Sequence, residues 1–195
     1  KKLRAKFPKE TLELRVDANG GFTFEEAKNV LKELADLEIH SIEQPIKKSE
    51  VRSPKSEEFL GQKSTDCFVT RNDMAQLCAE SPIPIALDEE LIGVVDFEEK
   101  KQLLETIKPQ YIILKPSLIG GFSGTDEWIS LAENLGIGWW ITSALESNIG
   151  LNSIAQYTFT KKPKIPQGLG TGGLFTNNFD SVLELNGDQL SMKKV

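Results

Sequence analysis

The stretch IPIALDEELIG at residues 83–93 decides how the fold of this chain is interpreted. Its apolar run at residues 83–87 is interrupted and preceded by prolines, and it predicts a short buried strand. The strand ends abruptly in three acids, Asp88, Glu89 and Glu90. Carboxylates at the C-terminal tip of a strand are typical of the face of a (β/α) barrel at which active sites lie.

Three other segments place a charged residue at the end of a predicted strand. Asp17 ends the strand-like run in LELRVDANG, Glu43 ends the run in HSIEQP, and Lys115 ends the run in YIILKPS. Any one acid alone would be better explained as a helix cap or a turn residue. Because four strands end in the same way, we predict that the four side chains converge on one site.

Strand-like and helix-like segments alternate along the chain, which predicts repeated βα units and a parallel sheet. The predicted fold is an α/β, (β/α) TIM-type barrel that is incomplete at its N-terminal side, with about six of the eight units of a closed barrel. A doubly wound sheet is the alternative, although no glycine-rich nucleotide fingerprint follows the first strand. The predicted strands are 11–17, 39–43, 83–87, 111–115, 138–142 and 165–169. The predicted helices are 24–37, with Thr23 as N-cap, 97–107, 125–135, 148–159 and one from about 72.

Two segments depart from this alternation. Residues 47–70 are polar and have no sustained period, so they predict a long loop or an insertion. At the other end of the chain, Asn186 and Gly187 stand between LEL and QLSM, and this pattern predicts a β-hairpin at 182–192.

The composition of the 195 residues argues against several classes of protein. The net charge of −6, with scattered lysines and arginines, gives no support for a nucleic-acid surface. There is no signal peptide, and no apolar run is long enough to span a bilayer. The two cysteines, Cys67 and Cys78, have no metal-ligand spacing, and free thiols are favoured over a disulfide. We therefore expect a soluble, cytoplasmic protein with neither a nucleic acid nor a membrane as its partner.

The converging carboxylates predict a metal site. Oxygen ligands from Asp17, Glu43 and Asp88 suit Mg²⁺, which would stabilise the enediolate formed when a proton leaves the carbon next to a carboxylate. Lys115 lies one strand beyond the last ligand and is the candidate catalytic group. A nearby divalent cation would push the pKa of this lysine down. A structural ion pair with one of the two acids after Asp88 is the alternative.

These strand-end motifs match a known family. DANGG with Asp17, SIEQP with Glu43, ALDEE with Asp88 and ILKPS with Lys115 resemble the enolase superfamily. Within it, the chain looks like the branch that holds muconate-lactonising enzymes, dipeptide epimerases and o-succinylbenzoate synthases.

Two later segments narrow the resemblance. TSALESNIGL at 142–151 and PQGLGTGGLF at 166–175 are most similar to the o-succinylbenzoate synthase family of menaquinone biosynthesis. The resemblance covers nearly the whole chain apart from 47–70. It implies a lyase that uses Mg²⁺ to dehydrate 2-succinyl-6-hydroxy-2,4-cyclohexadiene-1-carboxylate to o-succinylbenzoate.

The resemblance also implies a role for each strand-end residue. Asp17, Glu43 and Asp88 match the metal ligands, and Lys115 matches the catalytic lysine that stabilises the enediolate as a cation. The general base of the family is the second lysine of a K-x-K motif that should precede LRVDANG, and no such motif precedes it here. The resemblance therefore implies a partial barrel domain at 1–178, followed at 179–195 by a hairpin that belongs to a capping domain.

Several residues outside the strand tips are candidates to contact a small-molecule carboxylate substrate. Helix capping is an equally good explanation for two of them, Ser143 and Glu146, and turn geometry is the alternative for the glycine. The substrate-binding candidates are Asn19, Ser143, Glu146, Gly170 and Thr171.

Other readings of the same motifs stay open. An N-acylamino acid racemase or a dipeptide epimerase could use this scaffold, although QGLGTGG lacks the Asp-x-Asp motif of dipeptide epimerases. The sole histidine, His40, precedes the strand of Glu43, so a histidine base late in the barrel is not available. A catalytically incomplete barrel fragment is the third reading. Since an open barrel exposes two sheet edges, a homo-oligomer is also compatible with the sequence.

Overall fold

The computed structural model describes residues 1–48 and 71–193, so residues 49–70 of the predicted insertion lie outside the described part. Five parallel strands form one sheet in the order β1-β2-β3-β4-β5, and two antiparallel strands form a separate pair. The alternation of strands and helices predicted from the sequence is confirmed. The strands are β1 (Arg15–Asp17), β2 (Ser41–Glu43), β3 (Ile85–Leu87), β4 (Tyr111–Leu114), β5 (Gly138–Ile141), β6 (Leu183–Asn186) and β7 (Gln189–Met192).

Helices follow the strands of the sheet, and local sequence signals set their ends. Thr23 and Glu26 form a capping box at the start of α2, and the side chain of Asp96 caps α4. Gly136 ends α5 in the left-handed conformation, with φ 71°. The helices are α1 (Lys2–Lys6), α2 (Phe24–Ala35), α3 (Arg71–Glu80), α4 (Phe97–Ile107), α5 (Gly121–Leu135) and α6 (Asn148–Lys161), with 3-10 turns at Glu89–Leu91, Pro116–Leu118 and Gly170–Gly173.

The parallel register brings the strand tips to one edge of the sheet. Asp17 pairs with Glu43 across β1 and β2, and Glu43 pairs with Ala86 across β2 and β3. Leu114, the last residue of β4, pairs with Ile141 at the end of β5. The residues that directly follow the strands therefore share one face of the molecule.

Strand periodicity divides the apolar residues between the two faces of the sheet. Ile85 and Leu87 belong to the large core between the sheet and the helices, whereas Ala86 lies on the opposite face. There Ala86 packs with Ile113 and Trp140 in a small second cluster. Only a small apolar cluster therefore covers the inner face of the sheet, and polar side chains lie above it.

The sixth predicted strand, at 165–169, is wrong. Gly168 forms only an isolated parallel bridge with Thr142, and the described sheet has five strands rather than six. The side-chain oxygen of Gln167, and not a backbone carbonyl, accepts the hydrogen bond from the Ile141 amide at 2.7 Å. The backbone bonds described between this segment and the end of β5 are those of Gly168, whose amide donates to the Ile141 carbonyl and whose carbonyl accepts from the Ser143 amide.

Two predicted boundaries were also wrong. The first strand spans only Arg15–Asp17 instead of 11–17, and α5 begins at Gly121 instead of 125. Gly120 has φ 99°, a left-handed conformation that turns the chain directly into the helix. The C-terminal hairpin is confirmed as β6 and β7, with Gly187 at φ 63° in its turn.

Two further features concern the described residues only. Between 1 and 48 and between 71 and 193, no helix combines the length and the apolar character needed to cross a membrane. Cys78 is a free, buried thiol on α3.

Candidate metal and catalytic site

The four strand-end side chains meet above the parallel sheet. The Lys115 ammonium donates a hydrogen bond to Asp88 Oδ2, and its Nζ lies 3.9 Å from Glu43 Oε1. The Asp17 carboxylate, on the strand next to Glu43, acts electrostatically on that residue. Three carboxylates and one lysine from four successive strands therefore form one charged cluster.

Burial and crowding change the proton affinity of the cluster. Burial raises the pKa of Glu43 to about 9, and the neighbouring Asp88 and Asp17 carboxylates contribute to the rise. Lys115 opposes the shift but does not cancel it. The fold thus disfavours a third negative charge in the cluster.

Among the carboxylates alone, the pKa of Lys115 is raised above its ordinary value. The lowering that the sequence analysis expects from a bound cation stays a prediction. Burial alone would lower the pKa of Lys115. The hydrogen bond to Asp88 and the charges of Asp88 and Glu43 outweigh burial. In this arrangement Lys115 is a cation, and the acids that directly surround it are two predicted metal ligands.

The site has the chemistry of a divalent-cation site. Among residues 1–48 and 71–193, no group of three or more His, Cys, Asp or Glu side chains is already arranged to hold a metal ion. However, the donor set is three carboxylates. The neighbouring Asp17 and Asp88 carboxylates add to the rise that burial causes in the pKa of Glu43, and a bound cation would relieve this repulsion. The residues therefore fit a divalent ion by charge and by ligand type.

Asp17 and Asp88 occupy different environments. Asp88 is 1% exposed, and its carboxylate is not used to cap the 3-10 turn that follows it. Asp17 is exposed, and its Oδ1 accepts a hydrogen bond of 2.8 Å from the Asn19 amide. Asn19 has φ 46°, so the turn directs its backbone N–H back onto the Asp17 carboxylate.

A cavity of about 560 Å³ opens next to the cluster on the inner face of the sheet. Three of the strand-end residues, Asp17, Glu43 and Lys115, line it together with Ser143. Asp88 is connected to the cavity indirectly, because it accepts a hydrogen bond from the lining residue Lys115. The cavity is large enough for a small carboxylate substrate.

The other substrate-binding candidates lie outside the lining of this cavity. Thr171 Oγ1 shares a hydrogen bond with Ser143 Oγ and so lies directly behind a lining residue. Gly170 belongs to the same 3-10 turn as Thr171. Glu146 Oε1 accepts a hydrogen bond of 2.6 Å from Ser117 Oγ and connects the loops after β4 and β5.

Sequence reasoning missed Arg15, which also lines the cavity. Its guanidinium carbon lies 4.2 Å from the ring centroid of Trp140, and Nη1 donates a hydrogen bond of 3.2 Å to the Pro166 carbonyl. Arg15 stands two residues before Asp17, so strand alternation places both side chains on one face. That spacing was the signal available in the sequence.

Gln44 was missed as well. It follows Glu43 directly, is fully buried, and has φ 35°. Its side-chain oxygen accepts hydrogen bonds from the backbone amides of Asp88 and Glu90. The position of a polar residue between Glu43 and Pro45 was the available signal.

A family model described as enolase C-terminal domain-like matches residues 1–55 and 69–175. This match covers most of the chain, and the chain belongs to that family. Residues 56–68 fall outside the match. Enzymes of the enolase superfamily generally depend on a divalent metal ion, in agreement with the carboxylate cluster.

Curated relatives carry the name o-succinylbenzoate synthase. The protein from Desulfotalea psychrophila is 48% identical over 190 residues, which is 97% of this chain and 46% of that protein. The protein from Haemophilus influenzae is 27% identical over 82% of this chain and 41% of its own length. The chain thus spans less than half of each of these two relatives.

Solved structures agree with the fold. The crystal structure of MenC from Desulfotalea psychrophila LSv54 has a TM-score of 0.84 and 48% identity, covering 97% of this chain and 48% of that one. The structure of muconate lactonizing enzyme has a TM-score of 0.75 at 22% identity, covering 97% of this chain and 46% of that one. The second similarity supports the barrel fold alone.

Proposed function

We propose that the protein containing this chain is an o-succinylbenzoate synthase, which removes water from 2-succinyl-6-hydroxy-2,4-cyclohexadiene-1-carboxylate to give o-succinylbenzoate. The observation that carries the proposal is the cluster of Asp17, Glu43, Asp88 and Lys115 at one end of the parallel sheet. The 48% identity to the Desulfotalea psychrophila enzyme over nearly the whole chain supports this reaction in particular.

Asp17, Glu43 and Asp88 would hold Mg²⁺, and the bound ion would supply positive charge next to the substrate carboxylate. Lys115, which donates a hydrogen bond to Asp88 and lies beside Glu43, would use its charge to offset the negative charge that develops on the substrate ring. Ser143, which is 5% exposed and lines the cavity, would contact the substrate. Asn19, Gly170 and Thr171 would hold the loops around it.

Proton abstraction needs a second basic group that approaches the reacting carbon. We assign this step to a lysine of the K-x-K type, a motif that residues 1–13 do not contain. The loss of a general base costs about 10²–10⁴-fold in rate. The same lysine would return the abstracted proton to the ring hydroxyl group, so that cleavage of the carbon–oxygen bond releases water and the ring becomes aromatic.

The test is an assay of ring aromatisation with Mg²⁺, performed on the product of the complete gene and on the 195-residue chain. We expect activity in the former, and a rate at least a hundredfold lower in the latter. Lys115→Ala in the complete protein should abolish turnover and leave Mg²⁺ affinity measurable. Racemisation of N-acylamino acids without dehydration by the complete protein would contradict the assignment.

A further inference from the structure

Gln44 contacts the ends of three strands of the sheet. Its backbone N–H donates to the Ala86 carbonyl of β3 at 2.9 Å, and its carbonyl accepts from the Gly20 amide in the loop after β1 at 2.7 Å. The residue itself directly follows Glu43 at the end of β2. Strands β1 and β2 each end in one acid of the cluster, and β3 is followed directly by the third.

The side-chain amide of Gln44 makes a second set of contacts. Oε1 accepts hydrogen bonds from the Asp88 amide at 3.2 Å and the Glu90 amide at 3.4 Å, and Nε2 donates to the Ile46 carbonyl at 3.0 Å. Gln44 is 0% exposed, and Asp88 and Glu90 are each 1% exposed. A buried N–H without an acceptor destabilises the fold, so these amides need this oxygen or another one.

Asp88 is placed where an aspartate would ordinarily supply that oxygen itself. It stands at the N-cap of the 3-10 turn Glu89–Leu91, yet its side chain makes no capping bond. Asp96, at the N-cap of α4, does cap its own helix by accepting from the Glu99 amide at 3.0 Å. At the turn that follows Asp88, the side-chain oxygen of Gln44 is the acceptor instead, for the Asp88 and Glu90 amides.

The backbone of Gln44 has an unusual conformation. Its φ of 35° lies in the left-handed region, which is uncommon for a residue other than glycine, and such conformations persist where surrounding contacts enforce them. The conformation accompanies a side chain that turns inward beneath the loop after β3.

We propose that Gln44 is a positioning residue for the ion site: its side-chain amide caps the turn after β3 in place of Asp88, so that the Asp88 carboxylate stays directed at Lys115 and available to the cation. The inference rests on the proposed function, because it assumes that Asp88 is a ligand. Without the Gln44 oxygen, the Asp88 carboxylate is the nearest acceptor in sequence, and it turns back to cap its own turn.

Gln110 provides a matched control at the opposite end of the same strand. Its Oε1 accepts from the Ile85 amide at 2.9 Å, and its Nε2 donates to the Cys78 carbonyl at 3.2 Å. Gln110 therefore fixes the start of β3 by the same kinds of bond, away from the acids.

The experiment measures Mn²⁺ affinity by electron paramagnetic resonance of the free ion, using the product of the complete gene. Gln44→Met should weaken Mn²⁺ binding at least tenfold, whereas Gln110→Met should change it less than twofold. Gln44→Glu keeps an acceptor of the same length, so it should fold and bind Mn²⁺ within about threefold of the wild type or more tightly. This variant also keeps the test valid if Gln44→Met does not fold.

Wild-type affinity in Gln44→Met, equal weakening by Gln110→Met, or a loss of affinity in Gln44→Glu would overturn the positioning role. These outcomes leave the proposed function intact when the wild type binds Mn²⁺ and dehydrates its substrate. A wild-type protein that binds no Mn²⁺ would overturn both proposals.

Discussion

His40 is held between polar and aromatic neighbours directly before β2. Its Nδ1 lies 2.9 Å from Ser41 Oγ, its Nε2 lies 3.9 Å from Glu13, and its ring centroid is 5.0 Å from that of Tyr111. Burial lowers the pKa of His40, Glu13 raises it, and the nearby Arg15 guanidinium lowers it further. The net shift is downward, so the fold favours the neutral imidazole.

This shift predicts a pH dependence of stability. In the unfolded chain His40 takes up a proton below its ordinary pKa of 6.5, while the folded protein resists that proton. The stabilisation is fully present above pH 6.5 and is lost as the pH falls through the lowered pKa, with a slope of at most about 1.4 kcal/mol per pH unit. Urea unfolding of wild type and His40→Gln between pH 5 and 8 measures it. The variant should show a shallower slope, and equal slopes would refute the prediction.

At the scale of elements, β4 and β5 approach each other closely because β5 begins with a glycine. A Cβ placed on Gly138 would lie 2.4 Å from two ring carbons of Tyr111. That ring packs against His40 on one side and Trp140 on the other, at centroid distances of 5.0 and 5.6 Å. The ring therefore has little room to move away.

We expect Gly138→Ala to destabilise the protein by about 1–3 kcal/mol, the usual cost of overpacking a well-packed contact. Gly173 is the control, since a Cβ there meets nothing within 4 Å and Gly173 does not have a left-handed φ. Gly173→Ala should therefore leave the unfolding midpoint nearly unchanged. Denaturant unfolding of both variants gives the comparison, and equal midpoints for the two would show that Tyr111 moves aside.

At the scale of the whole molecule, the described sheet has two outer strands, β1 and β5. The outer side of β5 is partly occupied by Gln167 and Gly168, which pair with Ile141 and Thr142. The outer side of β1 has a connection through the Arg15 side chain to Pro166. Exposed strand edges favour pairing with other chains.

We therefore predict that the isolated 195-residue chain self-associates. Exposed apolar side chains such as Leu145 and Phe159, at 72% and 84% exposure, add to the driving force. Sedimentation velocity at several concentrations should show a mass that rises above 21.7 kDa as the concentration increases. A monomer with a sharp, concentration-independent melting transition would contradict the prediction.

The sequence alone determined the parallel α/β fold and the hairpin, because strand and helix periods, prolines and the Asn-Gly turn are local signals. It also determined which acids end the strands, since each stands next to its own apolar run. The tertiary structure decided the surroundings of these acids. The side-chain oxygen of Gln44, distant in sequence, accepts from the backbone amides of Asp88 and Glu90, and the surrounding carboxylates raise the pKa of Lys115. Both effects arise between strands that are far apart in sequence, and local patterns do not determine such contacts.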